Sequence, residues 1–410
     1  MARRLLLACL AGLLVAACGT ASTPRPRPGP AATPEPSQDL LFTVAGPGAE
    51  RLMVLGSDAG TDGARTLPAG VPSRDWRTVY TATVDAAGTT VRALDARSGQ
   101  ALRSTRLDGR FQLPVVGLHG LPEGLAADGD VLVLAADRTG GSSRFAVLDT
   151  KLRSPARLVE LPGDWAYDAV APDGSVLYLI QHLSASDRSR YVVRAYEVAA
   201  GRLRDGVITD KRNPDERMAG YPVTRVADDE DGWVYTLYRN PKDHSFVHAL
   251  NVLEGFAFCI DLPGKQGGER DRLWSLAYGP GHKLYAVNAG RGLVAELSTE
   301  QFEVIRHATF APTPASPASA GLVATTADGS LLVAGAGRGL VAIRTDDLKP
   351  QARWLEDRTL DGLVPNADGS RLYALSQDRD QILRLDPRTG TVLEERAAGG
   401  SRALLAAVPR

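Results

Sequence analysis

Apolar and polar positions alternate in short runs along most of this chain, and the runs are separated by turn-forming residues. The stretch from Ala367, ADGSRLYALSQDRDQILRLDPRTGTVLEE, shows the unit. An Asp-Gly turn precedes an apolar strand at 372–375, and the polar QDRDQ leads to a second at 382–385. The turn Asp386-Pro387-Arg388-Thr389-Gly390 leads to a third at 392–395, and 362–365 supplies an apolar strand ahead of the Asp-Gly turn. Two-residue periodicity with turn chemistry at each corner predicts four short antiparallel strands in a meander.

The unit recurs. TADGSLLVAGAGRGLVAIRTDDLKP begins at Thr326 and GPGHKLYAVNAGRGLVAELSTEQ at Gly279. AADGDVLVLAADR, APDGSVLYLI and DEDGWVYTLY begin at Ala126, Ala171 and Asp229, and a related unit runs from Arg77. The heptad AGRGLVA is written at Ala289 and again at Ala336, which predicts the same Gly-Arg-Gly turn between the second and third strands of adjacent units. Four-stranded repeats with no helical periodicity between them predict an all-β fold, a single β-propeller. The Asp-Gly turn, the Leu-Tyr-Ala or Val-Tyr-Thr strand and the Leu-Asp-x-x-x-Gly turn resemble YVTN-type and WD-like propeller repeats over roughly residues 40–410. That resemblance implies a fold and no particular activity.

Seven units between residues 69 and 396 carry all four strands. Residues 40–68 read as three more strands, and SRALLAAVPR at the C-terminus is one spare apolar strand. Pairing the two ends makes eight blades and removes exposed strand edges. The alternative is seven blades with residues 40–68 as a ribbon outside the ring.

The first 18 residues, MARRLLLACLAGLLVAAC, follow another pattern: two arginines, an apolar run too short to cross a bilayer comfortably, then small residues. This is an export signal, and Val15-Ala16-Ala17-Cys18-Gly19 resembles the lipobox of bacterial lipoproteins, with Val15 where that family prefers Leu. The resemblance implies cleavage after residue 17, acylation of Cys18 and a lipid-anchored, extracytoplasmic place in a bacterial cell envelope. An ordinary signal peptide with a chance cysteine is the alternative. Residues 18–38 are rich in proline and small residues, so they read as a disordered tether, and 39–410 as the propeller domain. Cys259 would then be the one remaining thiol, in the apolar run FAFCI, and reads as a small strand residue.

Net charge is −1, which gives no bulk attraction to nucleic acid. Propellers place functional groups on the face that carries the turns between second and third strands. Those turns here carry Arg138, Arg188, Arg239, Arg291, Arg338 and Arg379. Trp165, Tyr167, Tyr221 and Trp274 lie just before innermost strands, where they either line the channel mouth or wedge between blades. Together they are the candidate face for a protein or an anionic envelope component, although interleaved acids neutralise much of the arginine field. Asp243, His244 and His248 cluster, and His182 and His282 stand in other blades, but no spacing indicates a metal site. No phosphate loop, no nucleophile elbow and no cofactor motif is present. Lactonases and streptogramin lyases resemble the chain only in repeat architecture. The sequence therefore favours a non-enzymatic binding platform held at the membrane by a lipid alone. A propeller hydrolase or lyase, acting on a lactone or sugar in the axial pocket, is the rival reading.

Overall fold

The computed structural model describes residues 39–46, 48–56, 64–117, 121–136, 141–228, 230–264, 267–315 and 319–410. The proposed leader, Cys18 and the tether lie outside these residues, and so does Arg138. The described chain forms eight four-stranded antiparallel sheets arranged as an eight-bladed β-propeller. We number the blades in chain order: blade 1 spans 70–107, blade 2 111–162, blade 3 165–203, blade 4 221–261, blade 5 274–309, blade 6 322–359 and blade 7 362–397. In blade 8 the C-terminal strand Ser401–Pro409 lies innermost and pairs with Asp39–Ala45, followed outward by Arg51–Gly56 and Arg65–Pro68. The ends of the domain thus close the ring, and the seven-blade alternative is excluded.

Position within a blade explains the patterning. Middle strands are covered on both faces by neighbouring blades, so they run continuously apolar, as Leu331–Gly335 does with every residue buried. Outermost strands have one wet face, and Val304–Thr309 and Val392–Ala397 alternate strictly. On that wet face His307 and Glu395 interrupt the apolar Ile305 and Leu393, which discourages edge pairing with other chains. Eight apolar cores fill the eight seams, including one between blades 7 and 8 and one between blades 8 and 1. A Val or Leu fully buried in such a core contributes about 1.5–3 kcal/mol.

A polar clasp joins blades 7 and 8. Asp39 is almost wholly buried, and its Oδ2 accepts hydrogen bonds from Tyr373 Oη at 2.7 Å and Arg371 Nη1 at 3.0 Å. At the Asp-Gly corners, Asp173, Asp328 and Asp368 each accept the amide two residues on. The following glycines adopt φ of 63–68°, a conformation that disfavours a side chain.

Two local expectations need correction. Arg338 does not sit in the turn: it opens the strand Arg338–Arg344, because the neighbouring strand Pro350–Thr359 is long enough to pair Thr359 with it. Trp165, Tyr221 and Trp274 are the first residues of their innermost strands rather than residues ahead of them, and Tyr167 is the third of its strand. Blade 2 also departs from the repeat. Its innermost strand is split between Phe111–Gln112 and a bridge at Leu125, and the intervening chain forms a hairpin of Val115–Val116 with Leu121–Pro122.

Candidate functional site: a tyrosine-lined pocket between blades 3 and 4

The hairpin from blade 2 is laid against the innermost strand of blade 4. Gly117 there has φ of 80°, and a Cβ would stand 2.7 Å from the Val223 carbonyl oxygen, so only glycine permits the approach. Glu123, just after the hairpin, and Asp168 of blade 3 meet Arg225 of blade 4. Arg225 Nη1 lies 3.0 Å from Glu123 Oε2, and Arg225 Nη2 lies 2.8 Å from Asp168 Oδ1. Asp168 Oδ2 is buried without a hydrogen-bond partner, and burial raises the Glu123 carboxyl above its ordinary value despite Arg225. The same burial pushes the Tyr167 hydroxyl well up.

Beside this node, on the turn-bearing face, is a pocket of about 280 Å³. Tyr167, Tyr191, Tyr221 and Tyr238 supply its aromatic lining, Val115 and Val116 of the hairpin its inner wall, and His182 and Arg188 part of its mouth. Register places them there: His182 ends the second strand of blade 3 opposite Tyr191, and Tyr221 pairs with Arg239 across the first two strands of blade 4. The Tyr191 and Tyr238 rings stack at 5.3 Å, and burial of both hydroxyls, which neighbour one another, raises them well above their ordinary value. Nearby, His248 is wholly buried and its Nε2 is also unpartnered; burial lowers its pKa, so it stays neutral. Burial likewise lowers the His182 pKa, with Arg188 adding to the effect.

The structure therefore gathers three of the sequence candidates at this pocket and sets a fourth, Arg239, against one of its tyrosines. Tyr167 and Tyr221 line the pocket, and Arg188 stands at its mouth 3.4 Å from Asp164. The Arg239 guanidinium carbon lies 5.4 Å from the Tyr221 ring centroid. The other candidates are elsewhere. Trp165 and Trp274 are buried in the seams between blades 2 and 3 and between blades 4 and 5. Arg291 is held by Asp271 at 2.9 Å. Arg338 donates to the Glu356 carbonyl and Arg379 to that of Asp357. Tyr191, Tyr238 and Asp168 carry no sequence signal because each occupies an ordinary inward position of its strand, and His248 stood out only as part of a cluster with Asp243 and His244.

Three other places gather polar groups or enclose a cavity. An axial cavity of about 520 Å³ is lined by apolar and glycine positions of blades 4 to 8, with Asp361, Gln377 and Arg402 as its charged and amide groups. Asp361 is raised by burial and accepts the Gln377 amide. A polar cleft of about 300 Å³ lies under the segment joining blades 3 and 4, where Asp210 binds Arg212 and the Cys259 amide. Burial raises the Cys259 thiol far above its ordinary value, which removes it as a nucleophile. On the opposite face, Asp228, Asp231 and His282 hold donor atoms within 4.8 Å of one another, with Tyr278 Oη donating to Asp228 at 2.5 Å.

Fold and site together define an eight-bladed β-propeller with a lateral aromatic pocket. No family model and no curated protein sequence matches the chain. Solved structures do. The dihydro-heme d1 dehydrogenase NirN in complex with DHE is 13% identical with a TM-score of 0.55, covering 91% of this chain and 75% of that one. Apo AztD from Citrobacter koseri is 12% identical with a TM-score of 0.54, covering 90% and 97%. At such identities the likeness is one of fold.

Proposed function

We propose that this protein is an extracytoplasmic binding module, tethered to the bacterial envelope through acylated Cys18, which captures a small ligand between blades 3 and 4. The observation that carries this reading is the pocket itself. Four tyrosine residues and two valines line it, with His182 and Arg188 at its mouth. Concave, mostly apolar clefts with a few polar groups at the rim are the usual form of small-molecule sites.

The hydrolase or lyase reading asks for convergent His, Asp and Glu side chains on the axis. The axial cavity instead presents Leu, Ala, Val and Gly together with Thr224, Ser275, Gln377 and Arg402, around a single carboxylate, Asp361, that accepts the Gln377 amide. An anionic envelope partner on the wider arginine face draws its support from Arg338 and Arg379, both well exposed.

The test has two arms. Cys18→Ala should lose lipid labelling, and unchanged labelling removes the anchor. Saturation-transfer NMR of the detergent-solubilised full chain against a set of single-ring fragments should find binders. Ala166→Phe, which narrows the pocket, should abolish that binding, and binding that survives it places the site elsewhere.

A further inference from the structure

We propose that the face opposite the pocket carries a site for a divalent transition cation of the zinc type, held by Asp228, Asp231 and His282. Corners of two adjacent blades meet there. Asp228 ends the first strand of blade 4, Tyr221–Asp228, and Asp231 stands in the corner before the second, Trp233–Arg239. His282 stands in the matching corner of blade 5, between Trp274–Gly279 and Lys283–Asn288. One donor atom of each residue lies within 4.8 Å of the other two. Ligands about 2.1 Å from zinc stand roughly 3.4 Å apart in a tetrahedron, so closure asks for a shift on the order of 1 Å. The exposed side chains of Asp231 and His282 can supply it, while Asp228 is buried and fixed.

Charge favours a cation. Asp228, Glu230 and Asp231 bring three carboxylates to one corner, and among the described residues no lysine or arginine forms an ion pair with them. Their basic neighbour is His282, with Nδ1 3.3 Å from Asp228 Oδ2 and Nε2 3.9 Å from Glu230 Oε2. The corner of blade 6 differs, because Asp328 there has Arg388 at 3.5 Å. Hydrogen bonds already orient the ligands, as they do in built metal sites. Tyr278 Oη donates to Asp228 Oδ2 at 2.5 Å and lies 2.8 Å from His282 Nδ1. The Glu230 amide donates to Asp228 Oδ1 at 3.0 Å, and Asn251 Nδ2 to the Asp231 carbonyl at 3.3 Å. Tyr235 adds an independent observation. It is wholly buried, its hydroxyl has no hydrogen-bond partner, and its ring stacks on that of Tyr278 at 6.1 Å. Burial, then the charges of Asp228 and Asp231, push that hydroxyl's pKa up, so both carboxylates stand near it. An unspent buried donor beside the cluster is a partner for a carboxylate oxygen that turns when an ion binds. One imidazole among carboxylates suits zinc-type cations, whereas magnesium and calcium prefer oxygen ligands alone. Three protein ligands leave a position for water.

Calorimetric titration of the metal-stripped, detergent-solubilised full chain with Zn²⁺, Mg²⁺ and Ca²⁺ tests this. The expected result is saturable zinc binding at this site, at least ten-fold tighter than either hard cation. His282→Ala and Asp231→Asn, both at exposed corner positions, should each weaken zinc at least ten-fold. His244→Ala, in the polar cleft between blades 3 and 4, should leave it unchanged. Zinc should also raise the melting temperature of the wild type and not that of His282→Ala. Should a variant fail to fold, X-ray absorption of the zinc-loaded wild type decides: one imidazole among oxygen ligands supports the site, and sulfur or several imidazoles overturn it. Absence of saturable zinc binding, or zinc binding that survives both His282→Ala and Asp231→Asn, overturns the proposal. Magnesium or calcium binding as tightly as zinc overturns the assignment to a transition cation.

Discussion

The seam between blades 3 and 4 and the seam between blades 6 and 7 have the same plan, yet their contents differ. The second has an apolar core that includes Leu322, Leu340, Trp354, Leu363, Leu372 and Leu383. The first contains apolar residues too, but carries Arg225, Asp168, His248 and the Tyr191 and Tyr238 hydroxyls within or beside its core. A dry seam needs no ligand to be complete, whereas a seam with unspent polar groups is stable only because the rest of the ring over-determines it. The repeated heptad makes the same point locally. Both copies close a hairpin in the same register, Asn288 with Leu293 and Gly335 with Leu340. Arg291 folds inward onto Asp271, which the Glu269–Leu273 turn presents, while the Arg338 side chain, among the described residues, donates to the Glu356 backbone carbonyl. Identical sequence receives its role from what the neighbouring segment brings to it.

The largest effect is expected from the polar seam. Arg225→Met leaves Asp168 and Glu123 buried without a cation, and breaking such a pair costs about 3–5 kcal/mol. Urea unfolding midpoints measure it, and replacing Asp168 and Glu123 by Leu in the same chain should recover most of the loss. A single variant with unaltered stability would mean that the node is hydrated and the contrast between seams is false. In the dry seam Leu383→Ala should cost about 2–5 kcal/mol by creating a cavity, with nothing recovered by added polar ligands. The heptads come next. Arg291→Ala removes a charge-assisted hydrogen bond to a buried carboxylate, about 1.5–3 kcal/mol, while Arg338→Ala should stay within about 0.5 kcal/mol. Equal losses would show that the two copies are equivalent after all.

A smaller effect concerns pH. Burial lifts the Asp271 carboxyl to about 6, although Arg291 pulls the other way. The folded protein therefore binds a proton more readily than the unfolded chain between the ordinary aspartate value near 4 and about 6. Stability must fall as pH rises through that window. Asp271→Asn should flatten this part of the pH–stability curve, and an unchanged slope would place the titration on another group. Smallest of all, Tyr191→Phe deletes a buried hydroxyl that neighbours the Tyr238 hydroxyl and should change the urea midpoint by the equivalent of about 1 kcal/mol or less.

Blade architecture was legible from the chain because turn chemistry is local. The Asp-Gly corners and the apolar runs at 362–365, 372–375, 382–385 and 392–395 correspond to four observed strands of blade 7. Closure was legible as well, since SRALLAAVPR had no partner strand of its own. Tyr167 and Tyr221 stood out as aromatics beside innermost strands. Their convergence did not: Asp168 and Arg225 are separated by 57 positions and look like any inward residues of alternating strands. Nor did the hairpin of blade 2, because Val115 and Val116 resemble a continuation of the strand that Leu113 and Pro114 interrupt. Burial and partnership across blades are properties of the closed ring, and no local pattern encodes them.

The clasp at Asp39 has a mechanical consequence. A load entering the domain through its first strand meets a carboxylate gripped by Arg371 and Tyr373 of the adjacent blade. Because that strand is flanked on both sides within its own sheet, pulling cannot peel it away as it could an edge strand. The force is shared with blade 7 and with the C-terminal strand. The first strand of the domain is thereby riveted both within its own blade and to the next.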